Sequence, residues 1–79
     1  MNHHAVIDHD CSVGDFCHIA PHVSLGGGVK VGQGVLIGAG AVVLPGIKIA
    51  DYATVGAGSI VTNDIASGIT VMGNPARAV

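Results

Sequence analysis

Residues 31–49 read VGQGVLIGAGAVVLPGIKI, and within this stretch every sixth residue is a branched aliphatic. The same spacing continues in both directions without an insertion, giving the ten residues Ile7, Val13, Ile19, Leu25, Val31, Ile37, Val43, Ile49, Val55 and Val61. A helix would place its apolar residues about 3.6 positions apart, and a half-buried strand would place them at alternate positions. A strict period of six fits neither, and it predicts a solenoid in which each hexad forms one short strand and its corner.

The other positions of the hexad support a solenoid. Three positions after the aliphatic residue, glycine recurs at Gly28, Gly34, Gly40, Gly46 and Gly58. A corner at this point calls for a positive φ, which glycine adopts at little energetic cost. Because three hexads would complete one triangular coil, residues 18 apart are expected to stack in register.

The repeat divides the chain into three parts. Residues 1–6 are a short lead-in, residues 7–66 are the hexapeptide repeat, and residues 67–79 are a C-terminal strand and tail. Ser67 stands where the next aliphatic residue is due and breaks the frame, and residues 69–72 then alternate like one more strand. The predicted fold is therefore all-β, a parallel β-helix solenoid of about three coils.

Composition argues against two classes of partner. A formal net charge of −2 and only three basic residues do not suit a nucleic-acid-binding surface. Residues 31–47 carry no charge, but this stretch is short for a membrane-spanning helix and holds five glycines and a proline. The first residues do not have the basic and apolar segments of a secretory signal, so a cytoplasmic location is expected.

This repeat resembles that of the hexapeptide-repeat acyltransferases, over about residues 2–77. The resemblance implies a left-handed parallel β-helix with an 18-residue coil, acetyl-CoA as acyl donor, and a homotrimer of subunits packed side by side. Within this family the sequence is most similar to the C-terminal half of the acetyltransferases that act on sialic acid or on aminosugar nucleotides. Those enzymes usually carry an N-terminal α/β domain for the sugar nucleotide, and we expect that domain to be missing here, either truncated or never encoded.

The segment with candidate catalytic chemistry is residues 8–21, DHDCSVGDFCHIAP. It resembles the part of the sugar acetyltransferases in which a His followed directly by an acidic residue is the general base, and a second His nine residues later contacts acetyl-CoA. On this match His9 is the base, Asp10 its acidic partner and His18 the cofactor contact. An imidazole suits proton removal near neutral pH, and an adjacent carboxylate can fix its tautomer. One coil beyond His9 lies Gly27, so the space over the imidazole is expected to be free of side chains.

Two Gly-Ala-Gly triplets, centred on Ala39 and Ala57, are one predicted coil apart and should stack on neighbouring coils. The family resemblance implies that these two alanines contact CoA. Lys30 and Lys48 are also one coil apart and should form a small positive column, although solvated corner lysines are the favoured interpretation. With Arg77 they are the only side-chain cations for the CoA phosphates.

Other functions are compatible with some of the same residues. His18 and His22 suggest the zinc site of the trimeric β-helix carbonic anhydrases, but that site needs a third His and none follows His22, so no metal is expected. Cys11 and Cys17 are interpreted as small buried hydrophobes. The remaining alternative is a noncatalytic trimerisation or scaffold module, because the expected absence of an N-terminal domain leaves no obvious pocket for a sugar or aminosugar acceptor.

Overall fold

The computed structural model describes residues 5–79, which form twelve short β-strands and no helix. The strands are β1 Val6–Ile7, β2 Ser12–Val13, β3 His18–Ile19, β4 Ser24–Leu25, β5 Lys30–Val31, β6 Leu36–Ile37, β7 Val42–Val43, β8 Lys48–Ile49, β9 Thr54–Val55, β10 Ile60–Val61, β11 Thr70–Met72 and β12 Arg77–Ala78. Residues 1–4, and with them most of the predicted lead-in, lie outside the described part of the chain.

The strands form three sheets, one on each face of a triangular solenoid. Sheet A consists of β1, β4, β7 and β10, and sheet B consists of β2, β5 and β8. Sheet C consists of β3, β6, β9 and β11, with β12 added in the antiparallel sense to β11. Parallel partners in the first three coils keep the predicted spacing, as in the pairs Leu25 with Val43 and Val31 with Ile49. The predicted stacking of residues 18 apart is therefore confirmed.

The coil count differs slightly from the prediction of about three. A fourth coil is formed by β10, by Ile65, which bridges to Ile49, and by β11. In this coil β10 keeps the spacing of 18 to its partner β7, but after β10 the spacing is shorter by two positions, since Ile65 bridges to Ile49 and Val71 pairs with Val55. The column of inward aliphatic side chains therefore continues into the fourth coil. There Ile65 occupies the inward position that the period of six assigns to Ser67.

The core is a column of aliphatic side chains enclosed by the three sheets. The second residue of each strand from β1 to β11 points inward, and Leu25, Ile37, Val43, Val55 and Val61 are almost fully buried. Each such side chain contributes about 1.5–3 kcal/mol to the free energy of folding. Ile7 and Val13 in the first coil are only half-buried, because within the described residues no earlier coil covers them.

The corners confirm the prediction of positive φ. The third residue after the aliphatic has φ between 61° and 80° from Asp10 through Gly58. Glycine occupies most of these corners, but Asp10, Phe16, His22 and Tyr52 occupy four of them. For a non-glycine residue this conformation costs about 1–2 kcal/mol. Three of the four lie in the first coil, which is also the coil that contains His9.

Candidate active site

His9 lies at the corner of the first coil between sheet A and sheet B, directly after Asp8 at the end of β1. One oxygen of Asp8, Oδ1, accepts a hydrogen bond from the backbone N–H of His9 at 2.8 Å and lies 2.8 Å from Nδ1 of the His9 ring. The N–H of Asp8 donates to the carbonyl of Leu25 at 3.1 Å, which ties this residue to the second coil. The backbone and the ring of His9 are thus both held by one carboxylate.

The contacts with His9 also set the charge of Asp8. The hydrogen bond from the His9 backbone N–H, followed by that from its side chain, holds the pKa of the Asp8 carboxyl below its ordinary value of 3.8. Both groups stabilise the ionised form. Asp8 is therefore a carboxylate at neutral pH and can only accept hydrogen bonds.

Asp10, the acidic partner predicted from the sequence, has a more distant relationship to the ring. Its Oδ2 lies 4.0 Å from Nε2 of His9, which is beyond hydrogen-bond distance. Asp10 has a φ of 62°, so its side chain leaves the corner in a different direction from that of Asp8. The sequence places a carboxylate on each side of His9, and only the backbone conformation of the corner shows that the one in hydrogen-bond contact is Asp8.

The space beside the imidazole is bounded by glycine, as expected. A Cβ added to Gly27 would lie 3.7 Å from Cε1 of His9 and 3.8 Å from Oδ2 of Asp8, which is ordinary van der Waals contact. The N–H of Gly28 donates to the carbonyl of His9 at 3.2 Å, so the two corners are joined by their backbones. The side chain of His9 is 80% exposed, and its ring is accessible to an incoming molecule.

His18 lies on a different face of the solenoid. It is the first residue of β3 in sheet C, its backbone N–H donates to the carbonyl of Val35 at 2.9 Å, and its register partner is Leu36. The side chain is exposed on the outer surface of that sheet. Along the coil, the face that contains β2 lies between His18 and the corner that carries His9.

Ala39 and Ala57 lie at the third corner, between sheet C and sheet A, on the second and third coils. They stack as predicted, because the N–H of Gly58 donates to the carbonyl of Ala39 at 2.8 Å. Both alanines are exposed. Within residues 5–79 neither backbone N–H has a hydrogen-bond acceptor.

At other corners the backbone N–H at the position equivalent to these two alanines is either hydrogen-bonded or absent. At His9 and Gln33 a carboxylate accepts it, from Asp8 at 2.8 Å and from Asp51 at 2.9 Å. At Pro21 and Pro45 the residue has no N–H to satisfy. The two alanines instead keep exposed donors, one above the other, which an elongated polar ligand such as pantetheine can use.

The predicted site residues are therefore not brought together within one subunit. His9 and Asp10 lie at the corner between sheets A and B, His18 lies on sheet C, and the two alanines lie at the corner between sheets C and A. The repeat could have revealed this separation, because Ala39 follows His9 by one full coil and two further hexads.

The lysine column is present, but it is not purely positive. Lys30 and Lys48 are register partners on the outer face of sheet B, beside a shallow groove of about 520 Å³. Asp64 also lines this groove and accepts a hydrogen bond from the backbone N–H of Lys48 at 2.8 Å. Arg77 lies in β12 at the edge of sheet C and not with the two lysines.

Three other expectations concern absences or structural roles. Among residues 5–79, no three His, Cys, Asp or Glu side chains are grouped so that they could hold a metal ion. The thiols of Cys11 and Cys17 are half-buried and donate to the carbonyls of Gly26 at 3.1 Å and Gly32 at 2.9 Å. The same part of the chain contains no helix of the length and hydrophobicity needed to cross a bilayer.

The same solenoid architecture occurs in known proteins. Residues 28–63 match the family described as "Bacterial transferase hexapeptide (six repeats)". The chain shares the hexapeptide repeat of that family over this stretch, which is somewhat less than half of its length. Its predicted fold, a left-handed parallel β-helix, is thereby confirmed. The solved structures of PerB and of serine acetyltransferase superpose on nearly all of it.

Two solved structures show the extent of this likeness. PerB from Caulobacter crescentus, in complex with CoA and GDP-perosamine, is 43% identical in sequence to this chain and superposes on it with a TM-score of 0.94. The alignment covers 95% of this hexapeptide-repeat chain and 36% of PerB. The serine acetyltransferase of Brucella abortus strain S19, in complex with coenzyme A, is 36% identical with a TM-score of 0.90, covering 94% of this chain and 33% of that enzyme.

A curated relative matches a shorter stretch. The 2,3,4,5-tetrahydropyridine-2,6-dicarboxylate N-acetyltransferase of Clostridium perfringens is 44% identical over 39 residues, which is 49% of this chain and 16% of that enzyme. The hexapeptide-repeat chain thus corresponds to about a third of the solved relatives, and its alignment covers about a sixth of the curated one.

Proposed function

We propose that this chain is an acetyl-CoA-dependent acetyltransferase module that transfers acetyl to a hydroxyl or amine of a sugar or aminosugar, with His9 as general base. The observation that carries the proposal is the His9 imidazole, which is exposed at a corner where Gly27 leaves room beside it. The CoA complexes of PerB and of serine acetyltransferase support acetyl-CoA as the donor.

The proposed reaction is a direct acyl transfer. The acceptor oxygen or nitrogen attacks the thioester carbonyl while His9 removes its proton, so a C–O or C–N bond forms first, and the C–S bond breaks when the tetrahedral intermediate collapses. The imidazolium then returns the proton to the departing CoA sulfur, which leaves as the thiol. Asp10, whose Oδ2 lies 4.0 Å from Nε2, is the acidic partner assigned to the ring by the family resemblance.

Two further groups of residues are assigned to the donor. His18 donates a hydrogen bond to the thioester oxygen, which gains negative charge in the tetrahedral intermediate. The exposed N–H groups of Ala39 and Ala57 bind the pantetheine arm, since within residues 5–79 they have no other acceptor.

This assignment requires more than one subunit. His9, His18 and the two alanines lie at different corners and faces of the triangular coil, so no single face or corner of one chain presents all of them. Side-by-side packing in a homotrimer would place a corner of one subunit next to a face of its neighbour. We therefore propose that acetyl-CoA binds between adjacent subunits.

The nature of the acceptor is the least constrained part of the proposal. PerB was solved with GDP-perosamine, and this likeness supports an aminosugar nucleotide. Serine acetyltransferase, which is almost as similar, is named for an amino acid instead. A cytoplasmic location remains a prediction from the sequence.

The first test is binding of acetyl-CoA to the protein by titration calorimetry, followed by acceptor-dependent release of thiol. We expect micromolar binding that is weakened in His18→Ala and unchanged in Ser12→Ala, which truncates the corresponding outward residue of sheet B. His9→Ala should keep the trimer and the binding but lose turnover by about 100-fold or more. Unchanged turnover in that variant would exclude His9 as the base.

The second candidate function is a noncatalytic trimerisation or scaffold module. It is favoured by the separation of the predicted site residues on one chain, described above. A folded trimer that gives no detectable heat with acetyl-CoA up to millimolar concentration would support the scaffold. A protein that binds acetyl-CoA but releases no thiol with any sugar acceptor would show a binding module without a productive acceptor.

A further inference from the structure

We propose that Asp8 is the positioning residue for His9, holding the imidazole in the tautomer whose Nε2 takes the proton from the acceptor. This inference rests on the proposed function, because it assigns a role within the same site. It differs from the prediction made from sequence resemblance, in which the acidic partner of His9 is Asp10. The two carboxylates flank the same histidine and act on different nitrogens.

The first step of the argument is geometric. Oδ1 of Asp8 lies 2.8 Å from both the backbone N and Nδ1 of His9, so two contacts to one oxygen limit the rotation of the ring. Asp8 is itself fixed, because its N–H donates to Leu25 and it directly follows β1, which pairs with β4. The imidazole is thus oriented by the edge of a sheet and not by a mobile loop.

The second step concerns the proton on the ring. Asp8 is ionised at neutral pH and has no hydrogen to donate, so the contact at Nδ1 requires that Nδ1 carry the proton. Nε2 then has the free lone pair and is the nitrogen able to act as base. A hydrogen bond between Asp10 and Nε2 would select the opposite tautomer and occupy the reactive nitrogen, but at 4.0 Å that bond is absent.

The third step is the balance of the reaction. The proton moves from the acceptor to Nε2 and then to the sulfur of CoA, while the proton on Nδ1 remains in its hydrogen bond with Asp8. Asp8 neither gains nor loses a proton. It stabilises the positive charge that forms transiently on the ring between the two carboxylates.

The experiment compares Asp8→Asn with Asp10→Asn. The two variants are matched, because each is isosteric and removes one negative charge from a neighbour of His9, and Asn tolerates the positive φ of position 10 well. Long-range proton–nitrogen NMR spectra of the labelled protein, recorded where the imidazole is neutral, report which ring nitrogen carries the proton. We expect Nδ1–H in the parent protein and in Asp10→Asn, and a shift toward Nε2–H in Asp8→Asn, whose amide can donate to Nδ1.

Turnover supplies a second readout. Asp8→Asn should lower kcat by about 100-fold with little change in KM, and Asp8→Glu should recover part of that loss. A tautomer that is the same in Asp8→Asn as in the parent, or one that changes only in Asp10→Asn, would overturn the proposal. Unchanged kcat in Asp8→Asn would also overturn it.

The two readouts separate this inference from the proposed function. If the parent protein releases no thiol with any acceptor, the proposed function fails, and the tautomer still shows whether Asp8 positions His9. If Asp8→Asn does not fold, as judged by its melting temperature, Asp8→Ala removes the carboxylate altogether and is examined by the same spectra and by turnover. A parent tautomer that persists in Asp8→Ala with full kcat would then count against positioning by Asp8.

Discussion

The backbone of Gly27 passes beside the imidazole of His9, so that a Cβ at residue 27 would just touch Cε1 at 3.7 Å. The two residues lie at the same corner of successive coils. No backbone atom has to move to admit a methyl group at this position, and residue 27 is not among those with a positive φ. The width of the space beside the candidate base is therefore set by the size of one side chain.

This relationship predicts that side chains at position 27 act on turnover by size. Gly27→Ala should keep thiol release within about threefold of the parent, because its methyl group makes only ordinary contacts. Gly27→Leu should lower thiol release by at least about tenfold, because the larger side chain would displace the ring or the thioester. Melting temperatures serve as the control, and equal turnover in the two variants would show that the reactants lie on another side of His9.

The N–H groups of Ala39 and Ala57 can be removed without disturbing the corner. Proline already occupies the equivalent position at Pro21 and Pro45, so Ala39→Pro and Ala57→Pro should fold with little loss of stability. Each should weaken acetyl-CoA binding about 3–10-fold in titration calorimetry, the value of one hydrogen bond. Ala39→Gly keeps the N–H and is the control for loss of the methyl group. Full affinity in both proline variants would place the cofactor elsewhere.

Gly38 and Gly40 predict a contrast in stability within one corner. A Cβ at Gly38 would lie 2.5 Å from the backbone N of Ala57, whereas a Cβ at Gly40 would meet nothing within 4 Å. Gly40→Ala should cost about 1–2 kcal/mol, because its φ of 72° is strained for alanine. Gly38→Ala should cost more, about 3 kcal/mol, because neither backbone can yield easily. Denaturant unfolding of both variants measures the difference, and the reverse order would contradict the close approach of these coils.

The backbone and the side chain of His9 should make separate contributions to the pKa of Asp8. The pKa of Asp8 is lowered chiefly by the backbone N–H of His9 and next by its side chain. His9→Ala removes the side-chain hydrogen bond and the weaker coulombic attraction of the ring but keeps the backbone N–H, so the pKa of Asp8 should rise but stay below 3.8, as followed by the carboxyl carbon signal in NMR. A value above 3.8 in His9→Ala would contradict the backbone contact.

The lowered pKa of Asp8 also makes the stability of the fold depend on pH. A carboxyl group with a pKa that is lower in the folded than in the unfolded state stabilises the fold above the unfolded value. This contribution is lost as the pH falls from that value through the lower, folded one. The stability lost by the parent protein in this acidic range should therefore be smaller in Asp8→Asn, as measured by denaturant unfolding at a series of pH values.

Much of the candidate site was predictable from the repeat. The stacking of Gly27 beside His9, of Ala39 with Ala57 and of Lys30 with Lys48 follows from the 18-residue coil and is present in the structure. The separation of His9 from the alanines around the coil was implied by the same arithmetic. The catalytic and cofactor roles of these residues remain predictions.

The choice between Asp8 and Asp10 was not predictable in this way. Both residues adjoin His9 in the sequence, and their chemistry is the same. What distinguishes them is the direction in which each side chain leaves the backbone, which depends on the dihedral angles of one corner. Resemblance to a family motif favoured the residue after the histidine, whereas the hydrogen bonds are made by the residue before it.

The sequence by itself determined the coil, the aliphatic interior and the glycine corners, because a period of six in side-chain size and backbone freedom is a local property repeated ten times. Only the tertiary structure decided the shortened register of the last coil and the carboxylate that holds His9. These features depend on how a corner turns and on which strands share a face. The register depends on residues distant in sequence packing together, whereas the choice of carboxylate depends on the backbone dihedral angles of a single corner.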